Sequence, residues 1–498
     1  MKKFIKSILS ISLLVLVVFG FTACKTPLSS TTIVDDKSIV DGTSTNGGTT
    51  AIYGDYLYFI NGQKTNDGTS SRGTTQGAIC RVKYDLEAGK VAEDAKVEIV
   101  VSDLVGYEDG SINIFGDFLY YTTPNNNKNY QGTTLYSKTD FKRYDLVNKN
   151  SYTLYTTHLN NSSEYVDYAY YFVDDSLYLL VYESVSKTLT SLKIGNSTEL
   201  VYRINDVESC VFSNNNGKRV DENVVDANNF VFYTTKPSIA VDGYEDGSKV
   251  YKASPSKKGS SVWMGNKSAD DLFTFKFVSL LSIQNGKLIY SAEWITGDTF
   301  IYAQSIGESS KLEFNDSDKI SGNAYEDEKD LILFDELENG SVSVIAYDST
   351  SYQIVYVEKE NGENVPHTII VFGKETEIDF VGKVTVNEIE KNEDDEIIKD
   401  DEVEYLLYTI TESSKVTLYK VEVKRNGVIA ISQNAKDVEV VIDDGDGMIA
   451  MNGMIMPETI KNNLFIIAND KDKNAYMHYV DLSKTVDDDN KLTFIGKK

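Results

Sequence analysis

The chain has 498 residues, of which 41% are hydrophobic, and it carries a formal charge of −27. That length exceeds one ordinary compact domain unless the domain is built from repeats, and the apolar content excludes global disorder. The acidic balance excludes nucleic acid as a partner, because the chain and a phosphate backbone repel each other.

The first 23 residues stand apart from the rest. Lys2, Lys3 and Lys6 form a basic start, residues 8–21 are apolar, and Phe21-Thr22-Ala23-Cys24 places small residues before a cysteine. The apolar run is short for a membrane span, which needs about 20 residues. The segment resembles a bacterial lipoprotein signal peptide with its lipobox, with Phe21 where that family usually has Leu. The resemblance implies that Cys24 becomes the first mature residue and carries a diacylglyceryl group. An uncleaved anchor, or a secretory peptide with a chance cysteine, is the alternative. Both place the body outside the cytoplasmic membrane, and the lipid anchor implies attachment to the cell membrane. Removing Lys2, Lys3 and Lys6 takes the mature chain to about −30.

Residues 24–50 read as a tether, rich in Ser, Thr, Gly and Asp with Pro27 and no sustained periodicity. As a flexible coil, about 25 residues reach roughly 28 Å root-mean-square. Thr31-Thr32-Ile33-Val34 is the one piece suited to pair with the body as an extra strand.

From residue 51 onward a unit recurs. Its strongest apolar runs begin near Tyr56, Phe118, Leu177, Phe230, Leu288, Tyr352, Tyr405 and Leu464, at an average spacing of about 58 residues. A second strand follows in each unit, as at 78–84, 188–194, 299–305 and 475–480. Three of these end alike: Tyr84-Asp85-Leu86, Tyr144-Asp145-Leu146 and Val480-Asp481-Leu482. Gly54-Asp55 and Gly116-Asp117 open the first two runs as tight turns. The count is eight units, with an error of one. Abundant Tyr (33) and Phe (21) favour strands. Only 6 prolines, against roughly 25 at average usage, suit a chain of paired strands.

The burial pattern selects the architecture. A sandwich strand has one wet face and alternates, whereas Leu177-Tyr178-Leu179-Leu180-Val181-Tyr182 is apolar throughout. Continuous runs of this kind are covered on both faces. Parallel α/β sheets also cover both faces, but no long amphipathic helix is visible to supply their crossovers. Radially stacked four-stranded blades satisfy the pattern, so the expectation is an all-β chain with a single β-propeller of about eight blades over 51–498. The Tyr-rich leading strand and aromatic-Asp-Leu exit resemble the blades of bacterial lipoprotein β-propellers of the TolB-like and related uncharacterised repeat families. That resemblance implies a binding or scaffolding role. Trp-Asp repeats are a poor match, since only Trp263 and Trp294 exist.

Catalytic signals are sparse. His158, His367 and His478 fall in separate units, with no Gly-x-Ser-x-Gly partner and no metal-ligand spacing. Cys80 and Cys210 sit among apolar residues and read as buried small hydrophobes in non-adjacent units. Calcium is the one ion suggested, by the Asp/Asn-rich stretches 315–318, 443–447 and 470–474. None has the offset Glu of an EF-hand, and β-turns account for the same composition. Residues 387–404 hold ten acidic side chains against Lys391 and Lys399, which reads as a solvated hairpin or loop. No catalytic, cofactor or metal residue is assigned; the single site residue is Cys24, for lipid attachment. The expected function is a surface-anchored binding or scaffold module for a protein, peptide or saccharide. The alternative is an extracellular carbohydrate-active enzyme with carboxylates at the propeller channel.

Overall fold

A computed structural model describes residues 48–62, 75–105, 111–125, 138–158, 165–174, 176–212, 229–236, 249–265, 275–284, 286–294, 297–307, 312–313, 332–336, 342–348, 352–360, 363–372, 377–391, 397–412, 415–422, 439–443, 458–460, 462–469, 475–485 and 490–497. Every regular element among them is a β-strand. Cys24 and most of the 24–50 segment lie outside the described residues.

The strands form eight antiparallel sheets in chain order, here blades 1 to 8, at 50–101, 112–156, 166–204, 207–265, 275–305, 332–371, 377–443 and 458–494. Within a blade, consecutive strands are neighbours, so each blade is a simple meander. First strands of successive blades approach one another, as Thr50–Tyr53 does Ile112–Phe115 and Val207–Val211 does Phe275–Gln284. The first strand is therefore the inner one.

Apolar side chains explain why the sheets stack rather than spread. Ser176–Glu183, the second strand of blade 3, is buried from Leu177 to its end. Phe118–Pro124 and Tyr56–Ile60 are covered just as fully. Each face of such a strand meets a neighbouring blade. One layer joins Tyr58 and Ile79 of blade 1 to Ile114 and Leu119 of blade 2; the next joins Phe118 and Tyr120 to Leu177 and Leu179 of blade 3. Comparable layers link blades 3 and 4, 4 and 5, 6 and 7, and 7 and 8. The first strand of blade 5 lies beside that of blade 6. The last layer returns to the start, packing Ile460, Phe465 and Met477 of blade 8 on Leu57, Phe59 and Val82 of blade 1. The ring closes, and the protein is an eight-bladed β-propeller. Burying such side chains contributes about 1.5–3 kcal/mol each.

Tyrosine suits these seams because its ring fills the layer while its hydroxyl reaches the next blade. Tyr182 donates to the carbonyls of Val207 and Glu208, and Tyr202 to that of Ser254. The repeated Asp-Leu exit has a physical cause as well. Asp85 and Asp145 each use Oδ1 to accept two backbone N–H groups, from Glu87 and Ala88 and from Val147 and Asn148. Leu86, Leu146 and Leu482 then pack into the seams. The aspartate shapes the turn to the outer strand, and the leucine plugs the junction.

Two blades depart from four simple strands. Blade 1 has a divided outer strand, Lys90–Val91 and Glu98–Val101, on one edge of Ile79–Asp85. Blade 5 has three described strands, and the following segment Leu312–Glu313 pairs in parallel with the outer strand of blade 4. The tightest point of closure is Gly62, at φ +89°, where an added Cβ would lie 2.0 Å from the Ala475 carbonyl oxygen.

Candidate functional site

Strand directions give the ring two unlike faces. First-to-second connections emerge on one face and are mostly short: Gly54-Asp55 joins Tyr53 to Tyr56, and Gly116-Asp117 joins Phe115 to Phe118. Gly54 and Gly116 adopt φ near +59° and +58° at the first turn position, where two-residue hairpins favour glycine. Second-to-third connections emerge on the opposite face. There, 61–78, 125–138 and 236–249 in blades 1, 2 and 4 contrast with 349–352 and 413–414 in blades 6 and 7.

Among the described residues, one large projection rises from the short-turn face. In blade 7 the inner strand Glu377–Lys391 and its partner Ile397–Glu412 stay paired out to Lys391 opposite Ile397. The third strand accompanies the second only from Tyr405 onward. Residues 385–391 and 397–404 therefore leave the sheet as a two-stranded arm. The acidic stretch is a hairpin, the first of the two forms its composition suggests.

The arm is fixed at its root and open beyond it. Val386 is fully buried in the layer shared with Leu464 and Ile466 of blade 8. Asn462 of blade 8 brackets the Asn387 backbone, accepting from its N–H at 2.9 Å and donating to its carbonyl at 2.7 Å. Tyr405 donates to Glu388, and Lys383 pairs with Glu404 at 3.2 Å. Farther out, Ile389, Ile397 and Ile398 are 51%, 56% and 64% exposed, beside exposed Asp400, Asp401 and Glu402. Both edges of a two-stranded ribbon carry backbone groups that a third strand can pair with. Chemically, the arm offers carboxylates, branched apolar side chains and free edges together.

The long-loop face holds a polar cluster between blades 2 and 3. Glu183 closes a blade 3 strand and is wholly buried. It accepts from the Tyr155 hydroxyl at 2.5 Å and the His158 N–H at 2.8 Å, with His158 Nδ1 3.3 Å away. Arg203 stands 3.4 Å from His158 Nε2. The Tyr155 hydroxyl also lies 2.9 Å from Nδ1, so the imidazole is held between Tyr155 and Glu183 on one side and Arg203 on the other. Burial and then Glu183 push the Tyr155 hydroxyl above its ordinary range. Next to it, Asp140 accepts from Asn125 and Thr156, and Asp103 from Tyr121 and Lys142. Glu183 and Asp103 thus tie the segments that cross between blades, while Asp140 joins two ends within blade 2.

The three histidines occupy unrelated places. His158 belongs to that cluster, His367 lies opposite Tyr356 in blade 6, and His478 bonds the Tyr476 carbonyl and meets the Phe494 ring. Cys80 and Cys210 are buried and free, in blades 1 and 4. Burial pushes the Cys80 thiol up to about 12. Trp263 is fully buried against Phe232. The calcium stretches 315–318 and 470–474, and 444–447 of the third, lie outside the described residues. Residue pattern gave no notice of the buried role of Glu183; the acidic stretch 387–404 was the visible trace of the arm.

Fold and site together define a propeller with a projecting acidic hairpin. No protein-family model matches the chain, and no curated protein matches it. Among solved structures it is similar to a puromycin hydrolase at 10% identity and TM-score 0.40, covering 78% of this chain and 53% of that one. It is similar to oligopeptidase B from Leishmania major at 10% identity and TM-score 0.33, covering 76% and 47%. A GH43 β-1,3-galactosidase gives 10% identity and TM-score 0.22, covering 92% and 88%. The chain spans about half the length of the first two.

Proposed function

We propose that this protein is a surface-anchored lipoprotein whose propeller serves as a binding module. Its partner is a protein that presents basic and apolar groups to the blade 7 arm. The observation that carries this reading is the arm itself: its root is bonded to blade 8, while its outer part exposes three isoleucines among carboxylates. Exposed apolar side chains on a charged, rigid projection are characteristic of a contact surface. The acidic charge would speed encounter with a basic partner and make it sensitive to salt.

Anchoring rests on Cys24 and the signal sequence before it. Lipidation there would hold the ring on a tether at the outer side of the cell membrane. Cys24→Ala should release the protein from the membrane fraction; unchanged processing and membrane association would contradict the anchor.

The binding role is tested by placing a photo-crosslinking residue at Ile398 in intact cells, with exposed Leu200 in blade 3 as the control position. An adduct with a partner protein at Ile398 and none at Leu200 is expected. Equal labelling at both positions, or none at Ile398, contradicts the arm as the contact.

A further inference from the structure

Blades 2 and 3 meet across a layer of Phe115, Phe118, Tyr120 and Phe141 from one side and Tyr170 and Leu179 from the other. Arg143 lies in this layer at 2% exposure. Its guanidinium sits 4.5 Å over the Phe118 ring and 5.9 Å from that of Tyr152. Nη1 makes one long contact, 3.4 Å to the Gly195 carbonyl of blade 3. Nε, Nη2 and the buried hydroxyls of Tyr120 and Tyr170 reach no partner in hydrogen-bond geometry among the described residues, although the nearby Arg143 guanidinium offsets part of the rise that burial gives the Tyr120 hydroxyl. Tyr120 stands directly opposite Arg143 in the strand pairing, and its ring is 5.3 Å from that of Tyr170. Donors from both blades thus converge in one seam.

An unpaired cation in such a layer is costly, and each unmet buried donor adds about 1–3 kcal/mol. Asp145, two residues along the same strand, acts on Arg143 through space. Its oxygens are already committed, Oδ1 to the N–H groups of Val147 and Asn148 and Oδ2 to the Asn148 side chain. A water would satisfy some of the donors but add no charge to balance the guanidinium. An anion accepts from all of them and brings that charge.

We propose that a small monovalent anion of chloride's size and chemistry is held between blades 2 and 3, accepting from Arg143 Nε and Nη2 and from the Tyr120 and Tyr170 hydroxyls. The anion binds the folded ring and not the unfolded chain, so it couples halide concentration to stability.

The test is urea unfolding of the full chain in chloride and in gluconate at matched ionic strength. Well above the dissociation constant, a tenfold rise in chloride should raise the folding equilibrium constant about tenfold, with no such rise in gluconate. Arg143→Met should abolish the difference, and Tyr120→Phe should weaken it. Should Arg143→Met fail to fold, a bromide-soaked crystal of the unaltered protein decides the matter. An anomalous peak beside Arg143 is expected there. Equal stability in both salts, or neutral water at that position, overturns the proposal.

Discussion

The seam between blades 8 and 1 and the seam between blades 2 and 3 do the same job with different chemistry. The first joins the two ends of the chain, and neutral amides stitch it. Asn61 donates to the Lys497 carbonyl at 2.7 Å and accepts from the Lys497 N–H at 2.6 Å, while Gln76 reaches the Ala475 carbonyl at 2.9 Å. Asn463 donates to the Tyr84 hydroxyl and the Gly89 carbonyl. The second seam joins blades adjacent in sequence and buries Glu183 and Arg143. Amides pair with backbone at little desolvation cost and fix the register of segments that have no short connection to hold them. Where the chain already tethers two blades, buried charge is tolerated.

Four substitutions sharpen this contrast, in descending order of effect. Gly62→Ala drives a methyl into the Ala475 backbone at a left-handed position. It should cost more than about 4 kcal/mol, seen as loss of folded protein on expression. Glu183→Ala leaves the Tyr155 hydroxyl and the His158 N–H without their acceptor, a loss of about 2–3 kcal/mol in urea titration. Asn463→Ala removes two bonds of the closing seam and should cost about 1–2 kcal/mol. An Asn463→Ala cost above that of Glu183→Ala would reverse the ranking of the two seams.

The smallest effect is a pH response at Asp145. Burial works to raise its carboxyl, but hydrogen bonds from Asn148 and Val147, together with the Arg143 charge, prevail and hold it below its ordinary value. A depressed carboxyl stabilises the fold above the unfolded value of about 3.9, and that contribution is lost as pH falls through the folded value. Asp145→Asn should therefore flatten the acid limb of the stability curve below about pH 4 and leave its shape above pH 6 unchanged.

Much of the ring was legible because its strongest strands are apolar on both faces. The runs at Leu177 and Leu464 and the strands that follow at 188–194 and 299–305, third in blades 3 and 5, stand where their residues suggested. Inner strands were harder to see, since Thr50–Tyr53 and Ile112–Phe115 have four residues each and too little length for periodicity. In blade 6 the run at Tyr352 belongs to the third strand, Gln353–Glu360; Val342–Asp348 is the second. The blade count is unchanged, and the repeat in blade 6 is shifted by one strand in phase. The parallel attachment of Leu312–Glu313 to blade 4 had no local signal, because a two-residue pairing is decided by the partner's open edge. Glu183 and Arg143 look like ordinary strand charges until the stacking of blades shows both to be enclosed.

Closure between blades 8 and 1 turns eight stacked sheets into a ring, and a cross-link across that seam tests it. Lys497 reaches the Val97 carbonyl of blade 1 at 3.5 Å. In the folded protein, Val97→Cys and Lys497→Cys treated with a short bismaleimide should give an intramolecular link, read as faster migration of the monomer on a denaturing gel. Buried Cys80 and Cys210 should not compete. Links formed only between molecules, or none at all under folding conditions, would contradict a closed eight-bladed ring.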